Sequence, residues 1–198
     1  MNKAIFLDRD GTINVDKKYL HKIEDFEFLP GVLDGMKMLQ NAGYLLIVIT
    51  NQSGIGRGYY SEKDFEILNS WMLGELESKG IHIARVYYCP HLPNAKIKKY
   101  RKVCECRKPA LGMYEQAVKN YDIDLSHSWT IGDKPRDCLL CEKTECRGFL
   151  VGQDYYNEER LYYEFPLLKD KVRCVPGILE CAIEILKKKN RFFQTIAI

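Results

Sequence analysis

Three short apolar runs in this chain stop abruptly at polar side chains: Ala4-Ile5-Phe6-Leu7 at Asp8, Leu45-Leu46-Ile47-Val48-Ile49 at Thr50, and Trp129-Thr130-Ile131-Gly132 at Asp133. Runs of this length bounded by turn signals suit buried parallel strands, and open α/β sheets present their chemistry at the carboxyl ends of such strands. A fourth run, Ile83 to Tyr88, has the same character. Between the runs, apolar residues recur at helical spacing. Pro30-Gly31 opens a helix with Val32, Met36 and Leu39 on one stripe and Gly43 as its stop. Ser61-Glu62-Lys63-Asp64 opens another, with Phe65, Leu68, Met72 and Leu76 striped, Trp71 beside them as core, and Gly80 closing it. A third helix runs from about Leu111 to Tyr121. The alternation predicts an α/β fold with a doubly wound, mostly parallel, Rossmann-like sheet. Ile13 to Phe28 reads as a loop, so only one helix fits between the first two strands. A large cap domain would need far more residues there, and the site is expected to be open from above.

The strand ends carry the chemistry. Asp8 and Asp10 lie one residue apart before Gly11 and Thr12; past the strand end the chain curls, so both carboxylates can converge on one point. Such a pair can hold a hard divalent cation, and one member can attack a phosphoryl group. The bland alternative is a solvated acidic turn. Thr50 is followed by Asn51-Gln52-Ser53-Gly54-Ile55-Gly56-Arg57-Gly58, where a hydroxyl, amides and glycines would let backbone N–H groups approach a phosphate, or would simply form a strand-to-helix turn. Asp133 can complete the metal shell begun by Asp8 and Asp10, with Asp137 behind it orienting a metal-bound water or Lys108; alternatively Asp133 caps the helix that follows.

Cys89-Pro90-His91 and Cys104-Glu105-Cys106 form two close pairs separated by a loop. Three thiolates and an imidazole suit tetrahedral zinc, and four such ligands leave no open position. The spacing therefore predicts a structural zinc site within 89–106, closing the loop in place of a hydrophobic core; fortuitously spaced buried thiols are the alternative. Arg107-Lys108-Pro109 follows the last thiolate directly, so a clamped loop would fix where both cations point. The basic stretch Lys96 to Lys102 is either a solvated face or a means of steering a phosphorylated substrate.

With 198 residues, 23.1 kDa and 46% hydrophobic residues, the expectation is a single domain over 1–198 with a sizeable core. A net charge of +3 is too mild to argue for nucleic acid. No apolar run approaches a membrane span and no cleavable apolar leader precedes Asp8, so no membrane association and a cytoplasmic location are expected. Eight cysteines in such a chain point to metal or buried thiols before disulfides.

Taken together, these pieces resemble the haloacid-dehalogenase-like (HAD) phosphatase superfamily. More narrowly, Phe6 to Asn14, Thr50-Asn51-Gln52-Ser53-Gly54, Cys89-Pro90-His91 and Cys104 to Pro109 are similar to the D-glycero-D-manno-heptose 1,7-bisphosphate 7-phosphatases. The resemblance runs from about Ala4 to Val151, with Val15 to Tyr19 and Glu27-Phe28 in the first loop included. It implies a HAD-type fold and an aspartyl-phosphate mechanism that removes the 7-phosphate and leaves heptose 1-phosphate for surface polysaccharide assembly. Asp8 would be the nucleophile and Asp10 the general acid and base. Magnesium would sit on Asp8, Asp133 and the Asp10 backbone carbonyl, while Thr50 and Lys108 hold the phosphoryl group. Asp16, Tyr19, Asn51, Gln52, Ser53, Arg107 and Lys134 would contact the sugar and its other phosphate, and zinc would be carried by Cys89, His91, Cys104 and Cys106.

Some features fall outside the resemblance. Cys138, Cys141 and Cys146 read as buried small hydrophobes rather than a second metal site. The segment 153–198 is divergent, with Tyr155, Tyr156, Tyr162 and Tyr163, an amphipathic helix from Pro176 to Lys189, and Phe192-Phe193 near its end. A monomer is expected, with dimerisation through this tail as the alternative. Two other functions compete: a histidinol-phosphate phosphatase of the same superfamily, and a zinc-stabilised nucleic-acid module using Lys96 to Lys102, which leaves the strand-end motifs unexplained.

Overall fold

A computed structural model of the chain describes residues 1–152 and 157–196, with side chains as far as Lys187. The elements are β1 (Ala4–Leu7), α1 (Val32–Asn41), β2 (Leu45–Asn51), α2 (Ser53–Arg57), α3 (Glu62–Ser78), β3 (Ile83–Cys89) and α4 (Gly112–Tyr121). They are followed by β4 (Trp129–Gly132), α5 (Pro135–Cys138), α6 (Leu140–Lys143), β5 (Arg147–Val151), α7 (Glu158–Glu164), β6 (Val172–Val175) and α8 (Ile178–Ile196). Six parallel strands pair in the order β3-β2-β1-β4-β5-β6. The strand order reverses between β1 and β4, and in open sheets that reversal opens a crevice at the carboxyl ends. Asp8 and Asp133 sit at its lip.

Alternation along the strands divides the core in two. On one face Ile5, Leu7, Leu46 and Val48 pack with Met36 and Leu39 of α1, Met72 and Leu76 of α3, and Ile178, Cys181 and Ile185 of α8. On the other, Ala4, Phe6, Ile47 and Ile49 meet Met113, Tyr114 and Ala117 of α4. Burying side chains of this size stabilises the fold by about 1.5–3 kcal/mol each, so the central strands are held from both sides. The Asp8 amide donates to the Ile131 carbonyl at 2.9 Å, tying the last turn of β1 to β4. The doubly wound parallel sheet is as the apolar runs predict, and no cap domain stands between β1 and β2. Ser61 caps α3 by accepting from the Asp64 amide, and Gly31, with φ of +73°, caps α1.

The sequence reading assigned nothing to Arg147–Val151 or Val172–Val175, which are β5 and β6. Both are short, and β6 carries Arg173 and Cys174 between its two valines, so neither offers the long apolar run that marks β2. The Gly-rich stretch after β2 makes the strand-to-helix turn, with Ser53–Arg57 forming the short helix α2. Its glycines answer to packing. A Cβ on Gly54 would collide with the Tyr60 ring, and one on Gly56 would lie 2.6 Å from the Pro90 carbonyl oxygen. Cys138, Cys141 and Cys146 are fully buried among apolar residues, as expected of small hydrophobes. Tyr162 donates to the Val172 carbonyl at 2.7 Å and Tyr163 is exposed. Tyr155 and Tyr156, and the side chains of Phe192 and Phe193, lie outside the described residues.

Candidate active site

Asp8 projects from the end of β1 into the base of the crevice, 6% exposed. Lys108, one hundred residues away, reaches it from below. Its Nζ lies 2.9 Å from Asp8 Oδ1 and 2.7 Å from Asp137 Oδ1, and donates to the Ile49 carbonyl at 2.6 Å. The ammonium is thus hydrogen-bonded to Asp8 and the Ile49 carbonyl and ion-paired with Asp137. Asn51, at the end of β2, fixes the Lys108 backbone: its Oδ1 accepts from the Lys108 amide at 3.1 Å and its Nδ2 donates to the Lys108 carbonyl at 3.0 Å. Burial works against the Lys108 charge, but Asp137 and Asp8 outweigh it and hold the ammonium protonated. Burial also pushes the Asp8 carboxyl up to about 7, with Lys108 opposing the shift and Asp137 and Asp133 adding to it.

Asp8, Asp133 and Asp137 each bring a carboxylate oxygen within 4.8 Å of the others. Asp133 Oδ1 is buried and has no hydrogen-bond partner, while its Oδ2 lies 2.7 Å from Lys134 Nζ. A cluster of carboxylates with an unpartnered buried oxygen fits a hard divalent cation. Gly11, with φ of +83°, packs so close that a Cβ there would sit 2.5 Å from Asp133 Oδ2. Asp133 does not cap α5, because the carboxylate that accepts from the Lys134 amide at 3.0 Å belongs to Asp137. Asp10 turns its side chain away from the cluster. Its Oδ1 accepts from Arg9 Nε, Arg9 Nη2 and Asn14 Nδ2 at 3.2, 2.9 and 3.1 Å. Its Oδ2 accepts from Arg9 Nη2 at 2.9 Å and Gln52 Nε2 at 3.0 Å.

A cavity of about 370 Å³ opens above these groups, lined by Asp8, Asp10, Asp16, Tyr19, Thr50, Asn51, Gln52, Ser53, Asp133 and Lys134. Lys18, within the loop Asp16 to Tyr19, and Gly54 also line it, as do Tyr60 and Arg136, which carry no signal in the sequence. Lys18 and Tyr19 both take left-handed backbone, φ 53° and 63°, a strain that concentrates at functional loops. Arg107 is not a lining residue; its Nη1 donates to the His91 carbonyl at 3.4 Å. Nor does any residue of Lys96 to Lys102 line the cavity, and Lys99 instead pairs with Glu62 at 3.1 Å. Arg9, only the intervening residue of an Asp-x-Asp motif in sequence, is 1% exposed and is held by Asp10, the Leu20 carbonyl and Gln52.

The cysteine pairs converge as their spacing predicts. Cys106 Sγ lies 3.2 Å from both Cys89 Sγ and Cys104 Sγ, Cys89 and Cys104 are 3.6 Å apart, and His91 Nδ1 is 3.2 Å from Cys106 and 3.6 Å from Cys89. Zinc with bonds of about 2.3 Å to sulfur would set tetrahedral edges of about 3.8 Å, close to these separations. Burial, with the nearby Lys102 charge, holds the His91 ring below the usual imidazole range and so favours the neutral, ligating form. One expectation needs correction. The loop does not dispense with a core, since Leu92, Ala95 and Tyr100 are buried against Ile55, Tyr60 and Phe65.

A family model described as polynucleotide kinase 3 phosphatase matches residues 3–136, and one described as HAD-hydrolase-like matches 105–171. The D-glycero-beta-D-manno-heptose-1,7-bisphosphate 7-phosphatase of Haemophilus ducreyi is 50% identical over 141 residues, 71% of this chain and 77% of that one. The D-glycero-alpha-D-manno-heptose-1,7-bisphosphate 7-phosphatase of Photorhabdus laumondii is 49% identical over 150 residues, 75% of this chain and 82% of that one. Among solved structures, the D,D-heptose 1,7-bisphosphate phosphatase from B. bronchiseptica, complexed with magnesium and phosphate, superposes with a TM-score of 0.79 at 28% identity, covering 94% of this chain and 99% of that one.

Proposed function

Since this chain belongs to the family of D-glycero-D-manno-heptose-1,7-bisphosphate 7-phosphatases, we propose that it removes the 7-phosphate from a heptose 1,7-bisphosphate by way of an aspartyl-phosphate on Asp8. The observation that carries the reading is the position of Asp8. It is a buried carboxylate at the sheet's switch point, paired with Lys108 and opening into a polar cavity of sugar-phosphate size.

Asp8 attacks phosphorus in line with the leaving sugar oxygen, and Asp10 supplies the proton that oxygen needs as the phosphorus–oxygen bond breaks. Asp10 then takes a proton from the water that hydrolyses the aspartyl-phosphate. Lys108 keeps one ammonium hydrogen on Asp8 and stabilises the negative charge gathered there, with Thr50 supporting the phosphoryl group. Asp8 and Asp133, with the Asp10 carbonyl, would hold a magnesium ion, which neutralises charge on the phosphoryl oxygens; Asp137 orients Lys108. Asp16, Tyr19, Ser53 and Lys134 recognise the sugar and its remaining phosphate. Arg136 and Lys18 also line the cavity and add positive charge for that phosphate. Asn51 acts by holding Lys108, and Arg107 by holding the His91 carbonyl. The Cys89, His91, Cys104 and Cys106 site carries zinc in a structural role. The enzyme works in the cytoplasm, where its eight free cysteines stay reduced.

The test is phosphate release from D-glycero-D-manno-heptose 1,7-bisphosphate with magnesium and with chelator, following which phosphate leaves. Magnesium-dependent loss of the 7-phosphate alone is expected. Faster turnover of histidinol phosphate, or loss of the anomeric phosphate, would overturn the substrate assignment.

A further inference from the structure

The position of Gln52, directly after Thr50 and Asn51 at the cavity wall, marks it as a substrate contact in sequence, but its hydrogen bonds are already committed. Its Nε2 donates to Asp10 Oδ2 at 3.0 Å and to Thr50 Oγ1 at 2.9 Å. Its Oε1 accepts from the Tyr60 hydroxyl at 2.5 Å and from Arg9 Nη2 at 3.4 Å. A carboxamide offers two hydrogens and two lone pairs, so nothing is left for a ligand, and the residue is 2% exposed. The amide is also locked in orientation. Turned over, its oxygen would face the Asp10 carboxylate and its NH2 group would face the Arg9 guanidinium. Tyr60 is fixed in turn by the His21 ring stacked on it, with centroids 5.1 Å apart and planes 7° from parallel, and by close packing on Gly54.

Two consequences follow for the reacting groups. A hydroxyl that accepts from Gln52 has its single hydrogen free to donate elsewhere, so Thr50 is set as a donor toward the phosphoryl group. On Asp10, Oδ1 already takes three donor contacts and Oδ2 two, one of them from Gln52. We propose that Gln52, locked by Tyr60, is a positioning residue that holds Asp10 Oδ2 for proton delivery to the leaving oxygen and turns the Thr50 hydroxyl toward the phosphoryl group. In that step the Asp8 oxygen bonds to phosphorus and the sugar oxygen departs with the bonding pair. That oxygen takes the proton from Asp10 Oδ2, which while protonated keeps the Gln52 contact on its remaining lone pair as Arg9 Nη2 stays on Oδ1, and Gln52 keeps all its hydrogens throughout.

The inference rests on the aspartyl-phosphate reading, and its test separates the two. Gln52→Leu, Tyr60→Phe and the double variant are compared with the parent on an alkyl phosphate that the parent turns over and on p-nitrophenyl phosphate, whose nitrophenolate departs without protonation. For Gln52→Leu, general-acid contributions of this kind imply a kcat/KM about 100-fold lower on the alkyl phosphate and no more than about fivefold lower on the nitrophenyl ester, kcat/KM being the measure that ends at aspartyl-phosphate formation and leaves out the water step in which Asp10 is the base. Tyr60→Phe is expected to lose about tenfold on the alkyl phosphate, and the double variant to match Gln52→Leu alone, because Tyr60 acts only through Gln52. Tyr60→Phe removes one oxygen and keeps the ring, so it remains informative if Gln52→Leu melts early. Equal losses of kcat/KM on both substrates, or additive effects in the double variant, would overturn the proposal. Failure of the heptose assignment would show instead in the parent, as no turnover of that substrate.

Discussion

Replacing Lys108 with Met tests the electrostatic foundation of the site. Its ammonium is 1% exposed and lies within 2.9 Å of Asp8 and 2.7 Å of Asp137. Without it, Asp8, Asp133 and Asp137 keep carboxylate oxygens within 4.8 Å of one another and lose the buried ammonium shared by Asp8 and Asp137, while Lys134 remains on Asp133 and Arg136 lies 3.9 Å from Asp137. At that separation and an effective dielectric of about 20, each like-charge pair costs about 3 kcal/mol. Removing one partner of a buried ion pair typically destabilises by about 3–5 kcal/mol. For a chain of this length that lowers Tm by roughly 6–20 °C. The loss also depends on pH. The Asp8 carboxyl, already raised to about 7 by burial with Lys108 opposing, moves higher once Lys108 is gone, so toward pH 5 it takes up a proton and the repulsion subsides. The variant should therefore be most destabilised near pH 8. Urea unfolding in chelator at pH 5 and pH 8, with Asp137→Asn added in the same background, reads both effects. The second substitution should recover part of the loss. A cost below about 1 kcal/mol at pH 8, or further destabilisation by Asp137→Asn, would refute the reasoning.

Asp8→Asn should abolish turnover and leave the fold intact, because the amide cannot attack phosphorus; rates within tenfold of the parent would remove Asp8 from the nucleophile's role. Cys104→Ser should lower the zinc content and the stability before it lowers the chemistry; retention of zinc at full stoichiometry by metal analysis would show the ligand set to be wrong. Gly11→Ala combines a left-handed φ with a Cβ 2.5 Å from Asp133 Oδ2, so it should weaken metal-dependent activity far more than an alanine at Gly74, where nothing lies within 4 Å. Equal effects at the two positions, measured as kcat against magnesium concentration, would contradict the close-approach argument.

The residues legible in the sequence are those whose signal is local. Asp8, Thr50 and Asp133 each end a recognisable apolar run, and the Cys-x-His and Cys-x-Cys spacings carry their geometry within a few residues. Arg9 was invisible because its burial depends on Asp10, Leu20 and Gln52 together, and in sequence a lone arginine between two aspartates looks solvated. Tyr60 reaches the cavity through loop conformation and Arg136 from the first turn of the short helix α5, neither of which a periodicity encodes. The glycines after Thr50 fit a strand-to-helix turn in sequence, but the contacts that require Gly54 and Gly56 come from Tyr60 and from Pro90 of the zinc loop and have no local signal.

The placement of β1 has one more consequence. Flanked by β2 and β4 and covered on both faces, it should lie in the slowest-exchanging part of the molecule. The loop bearing Asp16 to Tyr19 lies outside that sheet, and the exposed Tyr19 meets the exposed Tyr59 edge-on at 4.7 Å. Bond-breaking and substrate choice are thus assigned to layers of different kinetic character. Substitution in that outer loop is expected to change which phosphate ester is accepted, while the central strand preserves the reaction itself.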